Sequence, residues 1–444
     1  MVDSWYFGMD INVEHTQLCY YCEELNEPES LFQDGYPDTY LLPNAVFYGY
    51  ETKQWYYSHE AMTRRLQEDG FFVEQLLQKT NSMERVQIEG QWLTYDEIYQ
   101  KFLIWHLESA IMRRKANLAQ QKKEEAATGE QGITEEKNMG QAIARLVLTV
   151  YRYDKHLFDL LYGIKEYFGL SDDSFYIIGH TNSYLHYVFE QPESIRNNSV
   201  GLFDYGKEGL EYYRIDIQRK QVPMVVKVIH KSFQERMGYY RIYDHKTELD
   251  MKFLEIVREV THESYLSAVY MTGVGFSDEW ARQSLNELCA GRRVFLGQNL
   301  FSKGACYAAR SGTNVIDPSR YMVESEDMVL YDVGLLTGNS VTSFVPIALG
   351  GREWYNMKGK RFIFLDNTNR IELLYRNRYQ NEAMREIVEI QGLPNRPNKT
   401  TKLSLEVEMS QGDKGAVVIR DEGFGDLYPT TNKIYRKEFT IEKE

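Results

Sequence analysis

Three glycine-bearing turns hold the residues of this sequence whose types and spacing could do chemistry. Paired carboxylates can hold a hydrated Mg²⁺, and turns of this kind can offer backbone N–H groups to phosphates. Glycine would also let the backbone approach a flat base or a ribose. The candidates are Gly8, Asp10 and Asn12 in the first turn, Asp204 and Gly206 in the second, and Gly273 and Gly275 in the third.

Each candidate also has a plain structural interpretation. Asp10 or Asp204 could simply cap the passage from a strand to a turn, and the glycines could serve turns that need positive φ. Cys19 and Cys22 have metal-like spacing, but no second such pair accompanies them, which favours two ordinary thiols. A lone His180 is more often a satisfied structural histidine than a catalytic one.

The surrounding pattern predicts a duplicated α/β architecture. Alternating and apolar runs over 5–22 and 40–57 predict strands, and 144–150 and 175–179 predict strands on either side of a helix. From residue 198 the pattern begins again, so both halves read as three strands, a helix, a strand and a helix. Asp10 and Asp204 then occupy corresponding turns, which would face one another across a cleft.

Other segments complete the predicted organisation. Thr94 and Glu97 have the spacing of a capping box at the start of a helix. The polar stretch 119–138 predicts a solvated loop or a frayed helix end. From 328 to 444 only short strands and turn clusters occur, which predicts an all-β sandwich. Candidates for an exposed aromatic cluster there are Trp354, Tyr355, Tyr375, Phe424 and Tyr428.

The order and spacing of these motifs resemble the actin-like ATPase superfamily and, within it, a divergent bacterial branch of the DnaK-type heat-shock chaperones. The resemblance covers essentially the whole chain. The matching segments are 8–11 and 203–206 for the two phosphate loops, 269–275 for the adenosine strand and turn, and 146–150 and 303–306 for the two connecting segments.

The resemblance implies a two-lobed, duplicated ribonuclease-H-like nucleotide-binding domain, with lobe I over 1–195 and lobe II over 196–320. A β-sandwich over 328–444 would take a protein or peptide partner, without a helical lid. ATP or ADP with Mg²⁺ would bind in the cleft, where Asp10 and Asp204 hold the metal. Gly8, Gly206 and the turn at Asn12 would face the phosphates, and Gly273 and Gly275 would face the adenosine.

Departures from the family pattern predict that ATP hydrolysis is weak or absent. Asn12-Val13-Glu14 replaces a glycine-bearing loop and adds a negative charge where phosphates would sit. Lys207-Glu208 replaces glycines in the second loop, and His180 lies where the family has a catalytic glutamate. No catalytic residue is therefore assigned.

Composition limits the class of protein. The 444 residues include 51 Lys and Arg against 65 Asp and Glu, a formal net charge of −14 that disfavours nucleic-acid binding. Four cysteines and the absence of a secretory segment or spanning apolar run favour a cytoplasmic protein. The alternatives are a pseudo-ATPase scaffold without nucleotide, an actin-like filament-forming protein and, more weakly, a sugar kinase.

Overall fold

The protein forms two compact units. Unit 1 comprises Met1–Ile215 and His230–Asp317, and unit 2 comprises Asp216–Ile229 and Pro318–Glu444. The structure, a computed structural model, describes residues 4–23, 25–33, 35–36, 40–125, 139–239, 245–312, 319–337, 343–380 and 382–441.

The first half of unit 1 is built on a mixed sheet with the strand order β11-β10-β1-β2-β3, and β4 pairs with β2. The buried strand β1 pairs in parallel with β10 and antiparallel with β2. Its elements are β1 (Trp5–Ile11), β2 (His15–Cys22), β3 (Glu27–Ser30), β4 (Leu42–Pro43), β5 (Val46–Gly49), β6 (Trp55–Tyr57), α1 (Ser58–Arg64), β7 (Gly70–Val73), α2 (Leu76–Lys79), β8 (Arg85–Ile88), β9 (Gln91–Thr94), α3 (Tyr95–Glu125), β10 (Ile143–Val150), α4 (Lys155–Phe168), β11 (Phe175–Gly179) and α5 (His180–Glu190).

The second half of unit 1 repeats this arrangement with the strand order β16-β15-β12-β13. Here β12 pairs antiparallel with β13 and in parallel with β15, as β1 does with β2 and β10. Its elements are β12 (Ser199–Gly206), β13 (Gly209–Gln218), α6 (Lys246–Glu263), β15 (Leu266–Thr272), α7 (Arg282–Cys289), β16 (Arg293–Leu296) and α8 (Leu300–Ser311). Between β13 and α6 the chain forms β14 (Met224–Ser232), of which residues 224–229 belong to unit 2. The second half has the predicted order of three strands, a helix, a strand and a helix, whereas the first half has β4 to β9 and two helices inserted between β3 and α3.

Local sequence signals explain where individual helices begin. The predicted capping box is confirmed at α3, where Glu97 N–H donates to Thr94 Oγ1 at 3.2 Å and Thr94 N–H donates to Glu97 Oε2 at 2.7 Å. Helix α7 instead begins at a distant residue, the buried Asp250 of α6, whose carboxylate accepts the N–H groups of Gln283 and Ser284. Helix α3 runs to Glu125, and residues 126–138 of the predicted loop lie outside the described residues.

Helix α8 fills the space beside the first sheet. It packs on β1 and β10 and crosses α5 so closely that a Cβ on Gly304 would lie 2.0 Å from the Ser183 carbonyl oxygen. Alanine and cysteine side chains of α8, including Ala305 and Cys306, are buried at this contact. Small residues are needed here because interiors are packed at the density of organic crystals.

Unit 2 is rich in strands. Its two four-stranded antiparallel sheets, β20-β19-β23-β24 and β22-β25-β26-β27, bury their apolar side chains in one core, and β14 pairs in parallel with β17. The remaining strands are β17 (Tyr321–Glu324), β18 (Met328–Val329), β19 (Tyr331–Leu336), β20 (Phe344–Ala348), β21 (Arg352–Glu353), β22 (Lys358–Phe364), β23 (Arg370–Asn377), β24 (Ala383–Glu389), β25 (Lys402–Met409), β26 (Lys414–Asp421) and β27 (Ile434–Thr440).

The character of the helices and the exposure of the aromatic side chains of unit 2 can be compared with the sequence predictions. Across the described residues, none of the helices combines the length and the apolar character needed to cross a membrane. Tyr375, a candidate for an exposed aromatic cluster, is fully buried in the core of unit 2, whereas Phe424 is 47% exposed.

Candidate functional site

A cavity of about 400 Å³ lies within unit 1, where the two duplicated sheets bring their turns together. Five of the seven predicted site residues line it, namely Asp10, Asn12, Asp204, Gly206 and Gly273. The other two, Gly8 and Gly275, lie outside its lining. The turns that the sequence singles out therefore converge on one place.

The two aspartates occupy equivalent registers in the two sheets. Asp10 on β1 lies opposite Thr149 on β10 and Gln17 on β2. In the second sheet, Asp204 on β12 lies opposite Thr272 on β15 and Glu211 on β13, where Glu211 corresponds to Gln17 of the first sheet. Each half of unit 1 thus has an aspartate between a threonine and a Gln or Glu residue at equivalent positions of its sheet.

Asp10 is held by a buried imidazole. His180, the first residue of α5, places Nε2 2.7 Å from Asp10 Oδ1, and both side chains are almost fully buried. The ring stacks on Phe301, with the two centroids 3.8 Å apart and the planes inclined by 10°. Its Nδ1 atom is buried and has no hydrogen-bond partner among the described residues. His180 therefore lies in the cavity as a buried, hydrogen-bonded partner of Asp10.

Asp204 is a carboxylate that faces the cavity without a protein partner. Within the described part of the chain it accepts no hydrogen bond. Burial is the main cause that raises the pKa of Asp204; His180 and His230 lower it and the Asp10 and Glu211 carboxylates raise it, so that the pKa is about 6. A carboxyl group in this state is available to a cation or to a ligand that donates a hydrogen bond.

Glu211 is the opposite case, a buried carboxylate whose oxygens are well satisfied. Oε1 accepts hydrogen bonds from Tyr151 at 2.9 Å, Ser232 at 2.9 Å and Gln234 at 2.7 Å, and Oε2 lies 2.8 Å from His230 Nε2. The His230 ring stacks on Tyr213, and the pKa of Tyr213 is raised well above its usual value by burial and by the nearby Asp204. These donors stabilise charge on Glu211 and leave Asp204 as the open carboxylate.

The turn at Asn12 is closed by its own side chain. Asn12 Oδ1 accepts the backbone N–H groups of Glu14 at 3.1 Å and His15 at 2.8 Å. Asn44 Nδ2 donates to the Asn12 carbonyl oxygen at 2.7 Å and fixes the turn against the neighbouring segment. Two donors that a phosphate loop would present to its ligand are therefore engaged within the turn.

An ion pair joins the tips of the two hairpins. Lys207 Nζ contacts Glu14 Oε1, with 31% and 20% of the respective side chains exposed. Lys207 and Glu208 form a two-residue turn between the paired Gly206 and Gly209, which places Lys207 at the tip of its hairpin. The charge of Glu14, which the sequence places where phosphates would sit, is thus neutralised from the other half of unit 1.

The glycines outside the lining serve packing. A Cβ on Gly275 would lie 2.3 Å from the Tyr205 ring, and the Gly275 carbonyl oxygen accepts the Trp280 indole N–H at 2.7 Å. Gly273 differs because it lines the cavity with φ of +95°, and a Cβ there would lie 2.7 Å from Asp204 Oδ1. Glycine at 273 therefore keeps the space around the Asp204 carboxylate clear.

We expect Gly8→Ala to destabilise unit 1 by about 1–3 kcal/mol, as overpacking does in well-packed interiors. A Cβ at this position would lie 2.2 Å from the Cys306 backbone nitrogen and 2.5 Å from the Ser302 carbonyl oxygen, so β1 and α8 must separate. Gly206→Ala is the matched control because a Cβ there meets open space. Urea midpoints of both variants test this, and equal midpoints would contradict the packing role of Gly8.

Sequence reasoning missed several residues of the site, chiefly Glu211, His230, Tyr151 and Phe301. One signal was available for Glu211, since it and Arg214 are charged residues in a run at 210–215 that otherwise consists of Leu, Tyr and Ile. A buried charge requires partners and so marks a polar network. His230 and Phe301 carry no comparable signal because their distance from Asp10 and Asp204 along the chain hides their proximity.

The residues of the cavity fit a hydrated Mg²⁺. Mg²⁺ in proteins keeps several waters and uses one or two carboxylates together with ligand phosphates. The unpartnered carboxylate of Asp204, beside Asp10 in the matching register, meets that requirement. Among the described residues no group of three or more His, Cys, Asp and Glu is arranged as a direct ligand set.

Comparison with protein families places the chain in a family but gives no activity. Residues 27–121 and 132–326 match the family described as "Family of unknown function (DUF5716) C-terminal", and the chain belongs to this family. Residues 328–441 match a second description, "Domain of unknown function (DUF8552)", whose bounds agree with the strand-rich part of unit 2. No curated protein matches the sequence.

Proposed function

We propose that unit 1 is an actin-like nucleotide-binding module whose cavity takes ATP or ADP with Mg²⁺. The whole chain is then a chaperone-like protein of the DnaK type, in which unit 2 takes a protein or peptide partner. The observation that carries this proposal is the matching pair Asp10 and Asp204, each opposite a threonine in its own sheet and both facing one cavity.

The geometry supports a nucleotide through volume and through carboxylate placement. A cavity of about 400 Å³ is within the range of about 300–1,000 Å³ that is typical of small-molecule sites. Mg²⁺, when bound, would neutralise charge on the phosphate oxygens. Asp10 and Asp204 would hold its water shell, and Gly273 would leave room for the ligand beside Asp204.

The same geometry supports weak or absent hydrolysis. Phosphoryl transfer needs a residue that orients the attacking water and donors that stabilise the transferred group. The side chain that enters the cavity at the start of α5 is the His180 imidazole, and its Nε2 is already engaged by Asp10. The first turn has two of its N–H groups bound to Asn12. Binding without efficient turnover is the function that these residues serve best.

An exposed aromatic group on unit 2 supports a protein or peptide partner there. Phe362 and Phe364 on β22 are each about half exposed, and Phe424 packs edge-on against Phe364 with centroids 5.8 Å apart. In the described part of its sheet, β22 is an edge strand that pairs only with β25. An edge strand with exposed aromatic side chains can accept an extended segment by β-augmentation.

A second candidate function is a pseudo-ATPase scaffold that binds no nucleotide. The ion pair between Lys207 and Glu14 favours it, because it joins the two hairpin tips and occupies a cation that a phosphate would need. In that case the cavity of unit 1 has a structural role, and binding of a partner is the function of the chain.

Calorimetric titration of the protein with ATP and with ADP, each with Mg²⁺, distinguishes the two. The nucleotide proposal expects binding at micromolar concentration, and Asp204→Ala should weaken it by at least about tenfold because the water shell of the cation loses one of two carboxylates. Asp204 has no hydrogen-bond partner in the described chain, so the variant is expected to fold. Glu208→Gln, at an exposed carboxylate of the same cavity, is the control. If millimolar nucleotide produces no heat and no thermal shift, the scaffold function is supported instead.

A further inference from the structure

The cavity of unit 1 is strongly acidic, which poses a problem for any ligand that carries phosphate. Six carboxylates line it, against one lysine and one arginine. The arginine, Arg152, is exposed, and its guanidinium lies 5.8 Å from the centre of the Tyr151 ring. The lysine, Lys207, is engaged by Glu14. A phosphate that enters this cavity with Mg²⁺ still faces the other carboxylates, and Lys207 can contact it only when the pair with Glu14 opens.

Backbone groups of the first turn cannot replace that cation. In phosphate-binding loops the N–H groups point at the ligand, whereas here Asn12 Oδ1 accepts those of Glu14 and His15. The second turn contains only Lys207 and Glu208 between Gly206 and Gly209. Lys207 is therefore the side chain best placed at a hairpin tip to meet an oxyanion.

We propose that Lys207 is the phosphate-binding residue of this cavity and that Glu14 is its built-in competitor. In the free protein, the Glu14 carboxylate occupies the position that an oxyanion of a polyphosphate would take on Lys207. The ligand and Glu14 offer the same chemistry, an oxygen anion for an ammonium group, so each excludes the other. This inference deepens the proposed nucleotide function, on which it rests.

The arrangement predicts effects of opposite sign at the two ends of one ion pair. Removing the Glu14 charge frees Lys207 and also removes repulsion of the phosphates, so binding becomes tighter. Removing the Lys207 charge eliminates the phosphate contact and leaves Glu14 unneutralised in the cavity, so binding becomes weaker. A purely structural ion pair would instead weaken or leave unchanged the binding in both variants.

The test is calorimetric titration of the full chain with two probes, ATP with Mg²⁺ and inorganic tripolyphosphate with Mg²⁺. Glu14→Gln is expected to bind both probes about tenfold more tightly than wild type, and Lys207→Met about tenfold more weakly. Glu208→Gln is the matched control, because it removes an equal charge from the same wall and from the residue next to Lys207. The Glu14–Lys207 pair is partly exposed, so both variants should unfold within about 3 °C of wild type.

The possible outcomes distinguish the role of Glu14, the role of Lys207 and the nucleotide function itself. Equal tightening by Glu14→Gln and Glu208→Gln would overturn the competitor role, because general electrostatics would then suffice. Wild-type binding of ATP with no effect of Glu14→Gln would overturn this inference and leave the nucleotide function standing. If Glu14→Gln binds tripolyphosphate more tightly than wild type, but ATP binds no more tightly than tripolyphosphate, Lys207 is supported as the phosphate residue and the nucleotide proposal is overturned. Binding of neither probe to any variant would overturn both.

Discussion

Asp204→Asn is expected to stabilise unit 1 above pH 6 and to have little effect below pH 4. Burial, together with Asp10 and Glu211, raises the pKa of Asp204 to about 6 in the folded protein, against about 3.9 for an unperturbed aspartate. Each unit of difference corresponds to about 1.4 kcal/mol, so the charged form of Asp204 costs up to about 3 kcal/mol of folding free energy. Asparagine keeps the shape of the side chain and removes that cost.

The sign follows from proton binding. Below pH 4 the carboxyl group is protonated in both the folded and the unfolded chain, so Asp204 has no effect on stability. Between pH 4 and 6 the unfolded chain ionises it while the folded chain keeps the proton, and stability falls as pH rises. Above pH 6 the full penalty is present. The gain from Asp204→Asn should therefore grow between pH 4 and 6 and then stay constant.

Urea unfolding at pH 4, 5, 6 and 8, followed by tryptophan fluorescence, measures this profile. Trp280 lies in the same core cluster as Tyr205, the neighbour of Asp204, and provides a signal from this half of unit 1. Glu208→Gln, at an exposed carboxylate of the cavity, should track wild type at every pH. If Asp204→Asn shows a constant offset at all four pH values, the raised pKa is not the source of the effect.

Arg396→Ala is expected to destabilise unit 2 by about 3–5 kcal/mol, the usual cost of leaving a buried charge without its partner. The Arg396 guanidinium binds Asp421 through two parallel hydrogen bonds of 2.7 and 2.8 Å, and both side chains are almost fully buried. Arg396 also donates to the Pro429 carbonyl oxygen at 2.8 Å. Its loss leaves the Asp421 carboxylate buried and unneutralised.

The network around Asp421 explains why the effect should be large. Burial alone would raise the pKa of Asp421, but Arg396 and the N–H groups of Thr431 and Gly423 outweigh it and hold the pKa well below its usual range. This contribution to stability is present above the unfolded pKa near 4 and is lost as pH falls below it. The pair ties the loop before β25 to the loop between β26 and β27.

Hydrogen exchange in increasing urea, read on peptides from β25, β26 and β27, tests the role of Arg396. The expected result is early loss of protection in these strands. Lys399→Ala is the matched control, because Lys399 lies three residues after Arg396 and forms an exposed ion pair with Asp366. Its loss should cost less than about 1 kcal/mol of unfolding free energy. Equal protection in the two variants would show that the buried pair contributes no more than a surface one.

A destabilising carboxylate in unit 1 and a stabilising one in unit 2 point to different uses. Asp421 has its charge fully compensated by neighbours, which is the pattern of a structural ion pair. Asp204 faces a cavity, lacks a protein partner in the described chain and has a raised pKa. Groups of this second kind concentrate at sites of binding or chemistry. The contrast favours the cavity of unit 1 as the functional site.

Much of the element order could be predicted from the sequence, because it depends on local pattern. Apolar runs ending in Asp10 and Asp204 predict two equivalent strand-to-turn elements, and the structure places both on the same cavity. The capping box at Thr94 and Glu97 is also a local feature, and it is confirmed. The close packing of Gly8 against α8 and of Gly275 against Tyr205 is not visible in those motifs.

The sequence by itself determined the repeated order of strands and helices, the positions of the paired aspartates and the acidic balance of the chain. Only the tertiary structure decided which charges meet. His180 reaches Asp10 across 170 residues of chain, Lys207 reaches Glu14 from the other half of unit 1, and Glu211 contacts Tyr151 and His230 from two separate segments. Hydrogen bonds and ion pairs act over a few ångströms, and sequence separation does not measure that distance. The chemistry of the cavity is therefore a property of how the two halves fold together.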